Sequence, residues 1–448
     1  MIQRLMSLWR DRRGNVLAIA GAALPLLVGA AGIATDTINW TLWKRELQRA
    51  ADSAAVAGVY ERMSGAVDAE ARTAVDHDLT INQHTGMALV SGYPQVDFPA
   101  DDGQVRNQVQ VVLAVRRTLP FSSLFMSEAP LIVARATAAS VPGPGDPCIH
   151  ALETDASKSG IIITGNAGIS MPDCTAHSNS PSTNSAYAKG SSTVTAKAAS
   201  AVGGIQQSTN WVIDSYDPYS PAIEDPFKDV NPNPSDMKCA GAWEQKGQKN
   251  EWVPTILTEN TNLENAKDAD GNKANCFASM SVGSTQTLAI PDDYGPIYIN
   301  GGDATVQGNL SCTACTIVLT NTDTASDATI GQFKVNAGSQ INISAPTDGT
   351  YKGIAIYQDR RAKDSNSAQN KINGNSDSVI TGALYFPNQE LDYNGTGSTS
   401  ATCTMFVSRR IVFSGNSATS NQFKSRSDCA LEGLPGSAGS TRRVRLVA

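Results

Sequence analysis

The sequence predicts a mainly β protein carried behind one N-terminal membrane helix, and three observations lead there. Residues 15–35 are uncharged and predominantly apolar, long enough to cross a bilayer core as helix. The helical periodicity does not stop where that stretch ends. Beyond a Pro/Gly-rich joint, short apolar triplets recur between Gly, Asn, Ser and Asp turns. The expected order is a basic cytoplasmic tail (1–14), a transmembrane helix (15–35), a helical stalk (36–62) and a small α+β unit (63–140). A linker (141–147), a distal parallel β-helix-like domain (148–432) and a C-terminal tail (433–448) follow. Residues at about 211–296 are expected to form an irregular insertion in the distal domain.

The opening carries Arg4, Arg10, Arg12 and Arg13, and the uncharged run from Asn15 to Thr35 follows, ending at Asp36. Arginines before the span argue for a cytoplasmic N-terminus, although Lys44, Arg45 and Arg49 on the far side weaken the bias. Gly32-Ile33-Ala34 offers a signal-peptidase site as the rival reading. Signal-peptide apolar cores are shorter than this one. Trp40, Trp43, Leu47, Ala51, Ala54 and Gly58 then recur at spacings of three and four, which marks one face of a continuing helix. Trp40 and Trp43 fall where an interfacial aromatic belt belongs. Pro25 sits inside the span, where membrane helices tolerate a kink. Asn15, Pro25, Thr35, Trp40 and Trp43 are therefore the expected anchor residues of an uncleaved, single-pass protein.

Composition narrows the function. Only 17% of residues are charged and 6% are aromatic, and the net charge of −7 carries no long basic run. Nucleic acid is excluded as a partner on this ground, because phosphate binding needs clustered Lys and Arg. The eight cysteines all lie beyond residue 147, an even set suited to an oxidising compartment. Sequence-adjacent pairing is expected: Cys148–Cys174, Cys239–Cys276, Cys312–Cys315 and Cys403–Cys429. Small closed loops suit a stack in which neighbours in sequence stay neighbours in space. Cys312 and Cys315 have metal-motif spacing, but a zinc site wants a second such pair.

Within 63–140, Val67 to Leu79 reads as a helix, while Val109 to Val115 and Leu131 to Ala139 read as strands either side of the Pro120 to Pro130 connection. Val141 to Gly145 reads as linker. Further on, five segments align by eye, from Ile163, Ile299, Val335, Ile372 and Phe413, the last four starting 36, 37 and 41 residues apart. At about 20 residues per rung these are two-rung steps of a parallel β-helix, with inward aliphatics and Gly or Asn at left-handed corners. An antiparallel sandwich with Gly/Asn hairpins is the alternative.

Arg13-Gly14-Asn15, the apolar span, Asp36 and the AADSAAVAG run from Ala50 to Gly58 together resemble the N-terminal segment of the TadE/TadG-like proteins of tight-adherence (Flp) pilus systems. The first stretch is therefore pilin-like. The shorter members of that family are cleaved after such a glycine and carry a glutamate five residues on. Ile19 stands there in this chain, which favours the larger TadG-related type. Asp217-Pro218-Tyr219, Gly301-Gly302, Ala345-Pro346, the run from Thr381 to Pro387 and Phe413 to Asn416 also look similar to TadG-related distal regions. The resemblance implies a non-enzymatic protein of the bacterial inner membrane that assembles, anchors or presents the pilus. It implies other pilus-assembly proteins as partners.

No catalytic constellation and no cofactor is expected. His77, His84, His150 and His177 are too few and too dispersed for a triad or a metal cluster. Asp292-Asp293 could suggest a polysaccharide hydrolase, but adjacent strand residues point to opposite faces, and Pro291 favours a turn. Gly301-Gly302-Asp303 lacks the rest of a calcium repeat. Asp155-Ala156-Ser157-Lys158-Ser159 matches a D-x-S-x-S metal string without the buried strand that should precede it. Two rival functions remain. One is an adhesin binding a surface polysaccharide, which an aromatic ladder on a solvent face would support. The other is a β-helical polysaccharide-degrading enzyme, which needs a carboxylate cluster in a groove.

Overall fold

The computed structural model of the chain describes residues 15–81, 88–103, 105–143, 145–246, 249–292, 294–365, 368–373, 378–394, 403–415, 418–419, 429, 434 and 442–447. Arg4, Arg10, Arg12, Arg13, His84, Asp293, Ser376 and Asn416 lie outside them. The contacts divide the chain into residues 1–141 with 444–448, and residues 142–443.

In the first unit, helix α1 runs unbroken from Asn15 to Met63 through Pro25, and α2 spans Asp68–Ile81. Strands β1 (Gln95–Asp97), β2 (Arg106–Arg116) and β3 (Leu131–Pro142) follow. β1 pairs antiparallel with β2, and β2 with β3. The C-terminal segment expected to be a tail instead forms a strand, Arg442–Leu446, on the free edge of β3. Its alternation of Val444 and Leu446 between arginines suits an edge strand. β3 also reaches two residues into the expected linker.

The C-terminal half of α1 packs on this sheet. Leu47, Ala51, Ala54, Ala55 and Val59 are buried against Val109, Val111, Leu113 and Ala134. Small residues let the helix lie close to the strands. A Cβ built on Gly58 would stand 2.9 Å from Val109 Cγ1 and 3.0 Å from Val75 Cγ2, so no larger residue fits without displacement.

The second unit is a large, almost wholly parallel sheet. Its strands pair in parallel, so equivalent residues line up in columns. One column runs Val282, Val306, Val335, Ile372, Tyr393, Phe413, Ile163 and Ala188, each in register with the next. Four of the five aligned positions stand in it, all buried. Ile299 does not: it pairs with Phe277 and Leu319 in a neighbouring column. Its apolar-Asn-Gly start imitates the others, but its strand is a different side of the turn. Val335 pairs directly with Ile372, so that step of 37 residues is one strand pairing rather than two. Beside the column, Gly415, Gly165 and Gly190 have φ of +72°, +71° and +76°. A Cβ on Gly165 would meet the Gly415 carbonyl at 2.9 Å, and one on Gly190 the Gly165 carbonyl at 3.0 Å. Both backbone handedness and contact demand glycine there.

The stack is not in sequence order. Strand Thr404–Phe413 pairs with strands Pro147–Ala151 and Ile161–Ile163. Residues 147–217 therefore continue the stack beyond residue 413. Strand Trp211–Asp217 ends it, pairing among the described residues with Thr193–Ala201 alone. Strand Cys276–Phe277 lies at the opposite end. The stretch expected as a local insertion is thus a return connection between the two ends. It includes an antiparallel hairpin, Gly241–Lys246 with Lys249–Pro254, in which Trp243 faces Trp252.

The structure joins Cys148 to Cys174, Cys239 to Cys276, Cys312 to Cys315 and Cys403 to Cys429, with Cα separations of 5.6, 4.1, 5.9 and 5.4 Å.

Candidate functional site

Three of the five expected anchor residues, Asn15, Pro25 and Thr35, lie on the N-terminal half of α1, and Trp40 and Trp43 lie just past its midpoint. Leu24, Leu26, Leu27, Val28 and Ile33 are each more than half exposed and touch no core. The helix is long and apolar enough to cross a membrane. The hydroxyls of Thr35, Thr37 and Thr41 donate back to the carbonyls of Ala31, Ile33 and Thr37, which satisfies them without water. Trp40 is exposed, while Trp43 packs against the small unit under the Arg117 guanidinium.

Asp36 marks the change of environment. It is 3% exposed, and its carboxylate accepts from the Phe121 amide at 3.0 Å and from the Ser122 amide and hydroxyl at 2.5 Å. These are the free donors that open the short 3-10 turn Ser122–Leu124. Phe121, at the cap position, has no side chain that could serve them, so an aspartate 85 residues away does so. One turn earlier, the Phe121 ring fills the place that a Cβ on Gly32 would need. Further along, Lys44 Nζ and Gln48 Nε2 donate to the backbone carbonyls of Val133 and Arg135 on β3, the latter at 2.7 Å. The helix is thus bare as far as Gly32 and stapled from Asp36 onward.

The distal unit holds the remaining candidates. His150 and His177, judged too far apart in sequence to matter together, are in register on adjacent strands with ring centroids 5.5 Å apart. His177 Nδ1 lies 2.6 Å from Ser200 Oγ, and Nε2 2.9 Å from Asn179 Oδ1. Burial first, and then the neighbouring His150, push the His177 imidazole down to about 3, against the Asn179 hydrogen bond. His177, neutral and fully buried at neutral pH, is a structural element rather than a proton shuttle. The parallel strand register is what brings the two histidines together, and no local string in the sequence announced it.

A carboxylate cluster exists, but arginines occupy it. Glu153, wholly buried, accepts from Arg409 at 3.1 Å and Arg410 at 2.8 Å, and Arg410 also reaches Asp364 and Glu390 at 2.7 and 2.9 Å. Burial raises the Glu153 pKa, and the Arg409 and Arg410 hydrogen bonds more than reverse that, leaving it below the usual range. The aromatic ladder also exists, as Tyr298, Tyr351, Tyr357 and Tyr385. It is buried beneath residues 223–237 of the return connection. Tyr385 donates to Asp225 at 2.6 Å and Tyr357 to the Val230 carbonyl at 2.7 Å. Trp243 and Trp252, with centroids 5.4 Å apart, are the more open aromatic pair.

The metal strings are differently engaged. Asp155 Oδ1 accepts from the Ser157 amide and hydroxyl at 2.8 and 2.7 Å, as a turn. Asp303 accepts from Lys334 Nζ at 2.7 Å and the Gln332 amide at 2.9 Å. Cys312 and Cys315 are bonded to each other. His77 lies on α2, away from His150 and His177 in sequence and unit.

Residues 14–69 match the family model described as "Putative Flp pilus-assembly TadE/G-like". The match covers α1 and the first residues of α2, which includes nearly all of the N-terminal segment from Arg13 to Gly58, and it does not reach the distal segments that resemble TadG-related proteins. No curated protein and no solved structure matches the chain.

Proposed function

We propose that the chain is a non-enzymatic, membrane-anchored component of a tight-adherence (Flp) pilus system. In this reading it spans the bacterial inner membrane once, N-terminus inside, and holds a parallel β-helix on the outer side as a rigid module for assembling, anchoring or presenting the pilus. One observation carries it: the segment matching the pilus-assembly family is the helix that is bare and apolar before Asp36 and packed after it. A pilin-like helix needs both halves, one to sit in lipid and one to carry a folded head.

The β-helix reading rests on the register columns and on the stacked Gly415, Gly165 and Gly190 corners. Neither rival gains support. The tyrosine ladder is covered, and the carboxylates that a hydrolase would need free are held by Arg409 and Arg410.

Reporter fusions test the topology. A periplasm-active reporter after Ala139 should be active and one after Arg10 silent. Mature protein should retain Met1 or Ile2 at its N-terminus, and finding Asn15 or Thr35 there would remove the anchor. The assembly role is tested by replacing the chromosomal gene with one lacking residues 1–62. Surface pili should disappear and return with the full gene; undiminished piliation would reject the role.

A further inference from the structure

We propose that the loop Pro120–Met126 is a second membrane contact, dipping into the interfacial layer of the leaflet through which α1 leaves the bilayer. The inference rests on α1 spanning the membrane. Leu124, Phe125 and Met126 are 74, 77 and 48% exposed, three consecutive large apolar side chains facing outward. From Thr118 to Ser127 the loop carries no charge. A solvated loop of this length would ordinarily be polar.

Its height relative to the bilayer is set by two contacts. Phe121 stacks on Gly32, inside the apolar run, and the Asp36 carboxylate holds the Phe121 and Ser122 amides at the end of that run. Helix rise is ~1.5 Å per residue, so Gly32 lies roughly 5 Å below the Thr35 boundary. The Phe121 ring is thus on the lipid side, with Phe125 beside it at a centroid distance of 5.5 Å. Arg116 and Arg117 close one end of the loop, and Arg116 pairs with Glu128 at 3.6 Å. Apolar tips beneath basic residues suit an anionic lipid surface. Because this surface continues that of the span itself, lipid is the occupant, rather than a second copy or another protein.

The test uses the full chain in vesicles of phosphatidylcholine and phosphatidylglycerol, with an environment-sensitive fluorophore on one introduced cysteine, the eight native ones being paired. Phe125→Cys reports the loop, Leu26→Cys the span and Val67→Cys an exposed site beyond the stalk. Acyl-chain-brominated lipid should quench the probe at 125 about fivefold more than at 67, approaching the quenching at 26. Quenching at 26 with none at 125 would overturn the loop proposal alone, and blue-shifted but unquenched emission at 125 would assign the loop to a protein partner instead. Absence of quenching at 26 would overturn the span and this proposal with it.

Discussion

His177 shows how one side chain couples this fold to pH. Its folded-state value, about 3, lies below the ordinary 6.5 because burial and His150 oppose its charge. The unfolded chain therefore binds the proton first as pH falls. Stability is full above about 6.5 and is lost toward 3, by at most ~1.4 kcal/mol per pH unit. Between 6.5 and 4.5 carboxylates contribute little, so the difference between thermal melts with and without His177 reads this histidine. His177→Gln should flatten the slope there; an unchanged slope would show that the imidazole is already charged or exposed.

Gly58 is the corresponding residue in the stalk. Gly58→Leu should force α1 from β2 and α2, costing about 1–3 kcal/mol. Gly58→Ala should cost less, with Val109 and Val75 giving way by tenths of an ångström. Chemical denaturation of the purified protein would rank the two.

Among the elements, the return connection behaves as a strap along one outer face of the stack. Asn179 exchanges hydrogen bonds with the Ile223 backbone, Arg360 reaches Asp225 and the Val230 carbonyl, and Cys239–Cys276 fastens the end. Beneath it lies a column of Cys276, Tyr298, Val318, Tyr357, Tyr385, Val407, His150 and His177. Arg360→Ala should speed hydrogen exchange of residues 223–238 at least tenfold while the Val306 to Phe413 column stays protected. Equal loosening of both would mean that strap and stack are one unit. Peptide mapping of the non-reduced protein tests the four disulfides, each larger loop contributing on the order of 3 kcal/mol. Within the stack, Val335→Asp puts an unpaired charge into a dry column and should cost several kcal/mol. Asn342, exposed on strand Gln340–Ser344, should tolerate Ser with little change; equal effects would contradict the inward assignment of Val335.

For the distal unit as a whole, the decisive feature is the pairing of strand Pro147–Ala151 with strand Thr404–Phe413. Phe406 stands in register with Ile149, and Glu153 is buried between Arg409 and Arg410, over 250 residues away in sequence. Glu153→Gln removes the carboxylate shared by the two guanidiniums while Asp364 and Glu390 still face Arg410, a loss of about 1–3 kcal/mol, in the range of a charged hydrogen bond lost from a buried network. Because the folded Glu153 value is depressed, its stabilisation is present above the ordinary carboxylate range and is lost as pH falls through the folded value. In the variant, residues 147–178 and 404–413 should gain exchange together. Loosening of only one of the two segments would show that they are not mutually dependent. Contacts this distant also predict slow refolding.

Local signals carried what the sequence by itself determined. Residues 15–35 are uncharged for longer than a buried helix needs, and the Leu47, Ala51, Ala54, Gly58 stripe keeps helical phase past Asp36, so span and stalk were legible as one rod. The alternation in Val109 to Val115 and the Gly-Asn corners near Ile163, Val335 and Phe413 likewise depend only on neighbours a few residues apart. Tertiary structure decided everything that depends on which turn lies on which. Ile299 has the same local string as Val335 yet belongs to another column, because a string specifies a corner and not a position in the stack. Asp36 finding Phe121, His150 finding His177, Glu153 finding Arg410 and residues 223–237 returning over the tyrosines are all long-range closures. Their partners are chosen by the packing of the whole chain, which leaves no periodic trace in the sequence.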